Sequence, residues 1–501
     1  MKKFLFLNTI TSLFRQVVAV VCGFILPRLI LENFGSEVNG LLQSITQFLG
    51  LITFLELGVG QVIQSSLYEP LAQNDPTRIS EILRSGTVYF RRIAFIFIAY
   101  ILVLIVVFPY IAKNQFGWAY TTTLIVAVSV GSFVQYYFGL VDRILLSADQ
   151  RAYIQQAVQI VTTVLNTIVA VVIMRLHGSI QWVKIGASIV FLMNPLVIRW
   201  YIRKNYTIDR RIKYEKEPIP QKWNGLAQHV SAVVLEGTDS VVLTLFSTLS
   251  NVSVYSVYFM VISSIKQFYS AATAGVQSML GALWAKQDTE KLNTVFAATE
   301  MVLHSVVVFL FCCIGILIVP FVKVYTWGLS DAEYIQPAFA AVLTLGYAIR
   351  CLRTPYNIMI LAGGHYRQTQ KCHVIAAVLN LVVSVLALKW FGLVGIAIGT
   401  LVAMAYQTLW MMIYNSRNLL MWPMKRIAKQ LGVDGLTAVL ILVATSRLVL
   451  SKTTYLGWFA LAVPVGLIAF AVTIGCAFLF YRQEALLLLH SLKRRFSKNA
   501  A

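Results

Sequence analysis

This sequence predicts an all-α polytopic membrane protein of about 14 transmembrane helices, in two six-helix lobes plus a C-terminal helix pair. Three observations lead there. Apolar runs of the roughly 20 residues a helix needs to cross the hydrocarbon recur throughout the chain. In keeping with them, 58% of its 501 residues are hydrophobic and only 12% charged, and mean hydropathy is +0.75. The stretch Ala148 to Gly178 returns as Ala362 to Gly392, with Val164-Leu165-Asn166 answering to Val378-Leu379-Asn380. Finally, the Lys and Arg behind a net charge of +21 lie in alternate loops.

The elements follow in chain order. Met1-Lys2-Lys3 and the apolar run behind it look like a signal peptide, but Asn8, Thr9, Thr11, Ser12 and Arg15 interrupt that run and no small-residue cleavage site follows, so it is read as the first membrane helix. Spans are expected at about 8–32 and 38–66, joined by a tight turn at Asn33 to Asn39. Between Tyr68 and Phe90, Ile79, Ile82 and Leu83 alternate with Arg78, Glu81 and Arg84 at helical spacing, which predicts an interfacial helix. Spans at about 90–111, 118–146, 152–175 and 180–202 complete the first lobe, residues 1–204. A basic linker, 205–222, carries Arg210, Arg211, Lys213, Lys216, Pro218 and Pro220. The second lobe, 223–418, has spans at about 223–247, 252–284, 292–321, 334–361, 370–388 and 393–415. An amphipathic segment at 419–432, a helix pair within 433–481 and a basic tail at 482–501 end the chain.

The repeat offset relates the first lobe to the second and sets Arg15 against His229. Two lobes in the same orientation make a parallel repeat, whose interface is the natural place for a transported substrate. Of the 41 Lys and Arg, about 29 fall on one side, about 7 on the other and about 5 within the membrane, which makes the basic side cytoplasmic and puts both termini there. The connections on the opposite side are short, the longest being Lys323 to Glu333. That leaves no room for an external catalytic domain. No phosphate-cradling lysine loop is present, so neither an ATP-driven pump nor an enzyme is expected, and the basic balance belongs to the membrane rather than to nucleic acid. The six cysteines lack metal spacing and read as small core residues.

A charge in the membrane interior is costly and therefore a functional candidate. Arg15, Arg28, Lys266, Arg350 and Arg353, with His229, form a cationic set suited to a phosphate or pyrophosphate. Arg350 and Arg353, three apart, share a helix face. For Arg15 and Lys266 snorkelling to a helix end is the competing explanation. Glu56, Glu236 and Asp239 are ion-coupling or charge-balancing candidates. Glu236 and Asp239 could bind H⁺ or Na⁺, or neutralise the arginines, while Glu56 could pair with an Arg of a neighbouring helix. Asp142 and Arg143 read as an interface pair. His229 has no second His or Cys at ligand spacing, so no metal site or other cofactor is expected. Glycines such as Gly58 and Gly60 read as close helix packing, and tyrosines such as Tyr136, Tyr137, Tyr255 and Tyr258 fit a sugar path or an aromatic belt equally well.

One stretch adds a resemblance. Pro27-Arg28-Leu29-Ile30, Asn33-Phe34-Gly35, Asn39-Gly40, Glu56-Leu57-Gly58-Val59-Gly60 and Ser66-Leu67-Tyr68-Glu69-Pro70-Leu71 together resemble the opening of bacterial polysaccharide (O-antigen and capsule type) flippases, of the multidrug/oligosaccharidyl-lipid/polysaccharide exporter superfamily. The resemblance implies a flippase in the bacterial inner membrane that moves an undecaprenyl-pyrophosphate-linked oligosaccharide outward by alternating access, working beside a glycan polymerase and other assembly proteins. Arg28 and Glu56 are the charged site candidates inside the resembling strings. The last two spans resemble those of lipid-linked peptidoglycan precursor flippases, where extra helices accommodate the lipid tail. The alternative is an ion-coupled drug/cation antiporter of the same superfamily, which usually has twelve spans.

Overall fold

The computed structural model describes residues 2–55, 59–112, 115–214, 217–218, 226–273 and 275–486, less the side chains of 2, 3, 5, 54, 55, 226–234, 236, 271 and 272. The regular elements among those residues are all helices, without a strand. Among them, ten helical stretches are long and apolar enough to cross a membrane. The chain forms two compact units, Met1–Ser256 and Val257–Ala501.

In the first unit, α1 (Lys2–Gly50) absorbs the first predicted span and the opening part of the second. The expected turn between them is a kink at Gly35, whose φ of 83° with ψ of 174° is open to glycine but not to residues with a Cβ. Beyond Gly50 a single 3-10 stretch, Leu51–Leu55, precedes α2 (Val59–Gln73), so the second span is broken rather than continuous over 38–66. The interfacial helix expected at 68–90 is also corrected. Asp75 caps α3 (Pro76–Ile111) by accepting from the Thr77 and Arg78 amides at 3.0 Å each, with Pro76 in the first turn. One helix then runs through both predicted segments, because Ile79, Ile82 and Leu83 are buried against the unit's core rather than laid on a surface.

The helix predicted at 118–146 is α4 (Trp118–Val134), a π stretch (Gln135–Gly139) and α5 (Leu140–Ala148). α6 (Ala152–Arg175) and α7 (Ile180–Asn205) follow as a hairpin, and α8 (Leu226–Phe246) packs on α1. Just beyond α8, at the first residue of the next helix, a Cβ on Gly40 would stand 1.8 Å from the Leu249 carbonyl oxygen, so only glycine allows it. α6 lies against α1 and α7, and α4 against α7.

α9 (Leu249–Thr273) leads to α10 (Val276–Ala285), so the span predicted at 252–284 is two helices. The second unit continues with α11 (Thr289–Tyr325), α12 (Pro337–Leu352), α13 (Thr354–Ala362), α14 (Tyr366–Phe391), α15 (Leu393–Asn418), α16 (Met424–Thr445) and α17 (Tyr455–Phe480). The span predicted at 334–361 divides at Arg353, because Pro355 has no amide to donate back into α12. The amphipathic segment placed at 419–432 is instead continuous with α16 from Met424 onward, its buried Ile427, Gln430 and Asp434 lying along one helix. α11 packs on α12, α16 and α17, and α15 packs on α12 and α14.

The repeat reappears in the element boundaries. The offset that carries Asn166 onto Asn380 also carries both ends of α5 onto the ends of α13, and the start of α6 onto the start of α14. Each hairpin is tightly joined, with Gly392 at φ 54° in the second copy.

Candidate substrate site

Three of the predicted cations are brought together in the second unit. Lys266 of α9, Arg350 of α12 and Arg353 at the end of α12 all lie close enough to Cys351 to act on it electrostatically. The α9 side of this cluster is fixed by Tyr269, whose hydroxyl donates to the Cys351 carbonyl at 3.2 Å. The Arg350 guanidinium lies 5.9 Å from the centre of the Tyr347 ring one turn earlier. The charge of Arg353 also reaches His373 of α14, whose Nδ1 is 2.8 Å from the Gln407 amide nitrogen. Such a set can hold an anion, with Arg supplying forked donors where a lysine supplies a point charge.

Beside this cluster is a cavity of about 370 Å³ between α11, α12 and α16. Its wall is apolar, with Phe311, Ala348, Ile349, Leu352, Leu431 and Leu442, relieved by Thr344 and Asp434. Ile349 and Leu352 face it from the same turn of α12 that carries Arg350 and Arg353. One helix turn therefore serves an apolar groove and a cationic cluster. That combination suits an amphiphile with an anionic head, and the groove exists because α16, a helix of the added pair, closes one side of it.

The fold has known counterparts. Lipid II flippase MurJ, in an inward closed conformation, superposes with a TM-score of 0.69 over 95% of this chain and 99% of its own, at 15% identity. An inward-facing multidrug resistance MATE family transporter of the MOP superfamily gives 0.63 over 82% and 98%, at 14% identity. The MATE multidrug transporter DinF-BH gives 0.57 over 83% and 96%, also at 14%. The chain shares the fold of these structures. No family model and no curated protein sequence matches it. These counterparts are named as a flippase and as multidrug transporters.

The other predicted residues are placed as follows. Arg28 pairs with Glu32 one turn along α1, at 2.7 Å. Arg15 is half-buried on the same helix. Asp239 is buried and accepts from the Tyr255 hydroxyl at 2.9 Å. Glu56 and the side chains of His229 and Glu236 lie outside the described residues. The expected Asp142–Arg143 pair does not form, since neighbours in a helix point about 100° apart. Asp142 is held by Arg210 of the linker at 2.8 Å, and Arg143 donates to Asn194 at 3.0 Å. The six cysteines are free thiols, and the described residues contain no group of three potential metal ligands.

Sequence reasoning misses two constellations. In the first unit a cavity of about 330 Å³ is lined by Gln135, Arg143, Asn166, Lys184 and Ser188. Lys184 sits near the start of α7, where a lysine reads as a helix-end residue rather than an interior charge. In the second unit Glu300, His304, Tyr356 and Asp434 share a buried polar network. A signal for it is present, since Glu300 and His304 fall four apart inside the apolar run predicted at 292–321 and Asp434 inside the next-to-last span.

Proposed function

We propose that the chain is a flippase for an undecaprenyl-pyrophosphate-linked oligosaccharide, carrying it from the cytoplasmic to the outer leaflet by alternating access for surface polysaccharide of the O-antigen or capsule type. The observation that carries this reading is the apolar groove of about 370 Å³ on α12, adjoining Lys266, Arg350 and Arg353. A prenyl chain fits the groove, and a pyrophosphate fits the cations. Coverage supports it too. The MATE transporter structure accounts for 82% of this chain and MurJ, named as a lipid II flippase, for 95%. The difference is of the size of α16 and α17, and α16 walls the groove.

On this reading the protein resides in a bacterial cytoplasmic membrane with both termini inside, and a glycan polymerase takes up its product. Glu236 and Asp239 remain candidates for H⁺ or Na⁺ coupling, Asp239 because it is a buried acid already polarised by a tyrosine. Arg15, Arg28 and His229 are assigned to the cationic path and Glu56 to its charge balance.

The test is transfer in proteoliposomes that hold a fluorescent undecaprenyl-pyrophosphate oligosaccharide. Translocation by the wild type, lost in Arg350→Ala and Arg353→Ala at equal protein levels, is expected. Efflux of a cationic dye without lipid translocation would establish the antiporter instead.

A further inference from the structure

Glu300 and His304, four apart on α11, are 2% and 0% exposed. His304 Nδ1 stands 2.6 Å from Asp434 Oδ2 of α16, while Asp434 Oδ1 accepts from the Gln430 amide at 3.0 Å. The Tyr356 hydroxyl of α13 donates to Glu300, and its ring meets the imidazole edge-on with centroids 5.8 Å apart. Arg426, stacked on Trp422 at 3.8 Å, lies 3.8 Å from Glu300 and 3.9 Å from the more exposed Glu484. The remaining neighbours are few. Beyond α17, Tyr481 has the Lys429 ammonium over its ring at 4.8 Å. α17 itself contributes Cys476, α12 presents the Leu352 carbonyl to the imidazole, and α10 carries no titratable group.

Charge counting shows what this cluster must hold. Glu300 and Asp434 ionised against Arg426 leave one surplus negative charge among buried groups, a costly state in a medium of low dielectric. A proton on His304 cancels it. The imidazole then donates through Nδ1 to Asp434, while its buried Nε2 makes no hydrogen bond among the described residues. The close packing of α11, α13 and α16 thus holds one proton, and moving α16 off α11 separates His304 from Asp434 and exposes both. Asp434 also lines the apolar groove. Proton occupancy and groove width are therefore two readings of the same helix contact, and by reciprocity whatever widens the groove must loosen the proton.

We propose that Glu300, His304, Tyr356 and Asp434 are a proton-binding site that couples proton uptake and release to the seating of α16, and so to the groove beside it. The proton is transferred between the His304–Asp434 pair and water; no bond other than N–H or O–H is made or broken. The proposal rests on the flippase reading for what the groove holds, and on this geometry alone for the proton.

Two measurements separate the parts. Nitrogen-15 histidine spectra of the full-length protein in nanodiscs are expected to show one imidazolium at neutral pH that disappears in His304→Gln and becomes a neutral imidazole in Asp434→Asn. A neutral His304 in the wild type would overturn the site, whatever happens to transport. In the proteoliposome assay, a one-unit pH gradient is expected to change the wild-type rate by up to the tenfold that one unit of proton activity supplies. Glu300→Gln and His304→Gln should lose that response. Melting curves matching the wild type would show that they are folded. A full gradient response in folded Glu300→Gln and His304→Gln would overturn the coupling even with the imidazolium present. Should the wild type move no lipid-linked glycan at all, the flippase reading fails, and the spectra still decide the site.

Discussion

Asn166 and Asn380 occupy equivalent places in the two copies of the repeat, yet their amides meet different surroundings. Asn380 of α14 is fully buried and donates to Thr400 Oγ1 of α15 at 3.1 Å. Asn166 of α6 faces the 330 Å³ cavity, and its Oδ1 has no hydrogen-bond partner. The counterpart of Thr400 in the first copy is Gly186, and that of Ile398 is Lys184. Two exchanges on α7 thereby turn a closed seam into a polar cavity.

This contrast predicts unequal stability effects. Asn380→Leu removes the buried hydrogen bond to Thr400 and should cost about 1–2 kcal/mol, seen as a lower melting temperature in detergent. Asn166→Leu removes an amide that already lacks one partner and should change stability by less than about 0.5 kcal/mol. Equal losses would mean that the cavity provides Asn166 with an unseen partner.

Lys184 makes a second test. Among the described residues it has no ion pair or hydrogen bond, although it lines that cavity. Lys184→Met should therefore raise the melting temperature, because an apolar side chain replaces a charge without a protein partner. A drop would show that the ammonium is satisfied, by an anion or by ordered water.

At Arg28 the pair with Glu32 is partly exposed, the acid at 43%, and such i,i+4 pairs contribute only about 0.3–0.5 kcal/mol. Glu32→Ala and Arg28→Ala should both fold normally. On the proposed flippase reading, glycan export should fall in Arg28→Ala and stay near wild type in Glu32→Ala. If the two variants export alike, Arg28 leaves the substrate path.

Gly40 tests packing directly. Gly40→Ala would drive a Cβ into the Leu249 carbonyl and should cost about 1–3 kcal/mol or more, with a sharp loss of monodisperse protein in size-exclusion chromatography. Gly23→Ala, where nothing lies within 4 Å, is the control and should be neutral.

Much of the architecture was readable from sequence because it is written locally. Hydrophobic length marks a crossing wherever it occurs, and the Val-Leu-Asn repeat announced α6 and α14, whose first residues are related by the same offset as the motif itself. Helix breaks were less legible. The division at Arg353 had a signal in Pro355, whereas the π stretch at Gln135–Gly139 had no compositional mark.

The sequence by itself determined an all-helical membrane chain, its internal repeat and the kinds of charge placed within its spans. Only the tertiary structure decided which of those charges meet. Lys266 joins Arg350 and Arg353 around Cys351, Asp142 turns from Arg143 to Arg210, and His304 finds Asp434 on a helix far along the chain. The reason is geometric: an apolar run fixes that a helix crosses, while its rotation and tilt, which aim each side chain, are set by the neighbours it packs against.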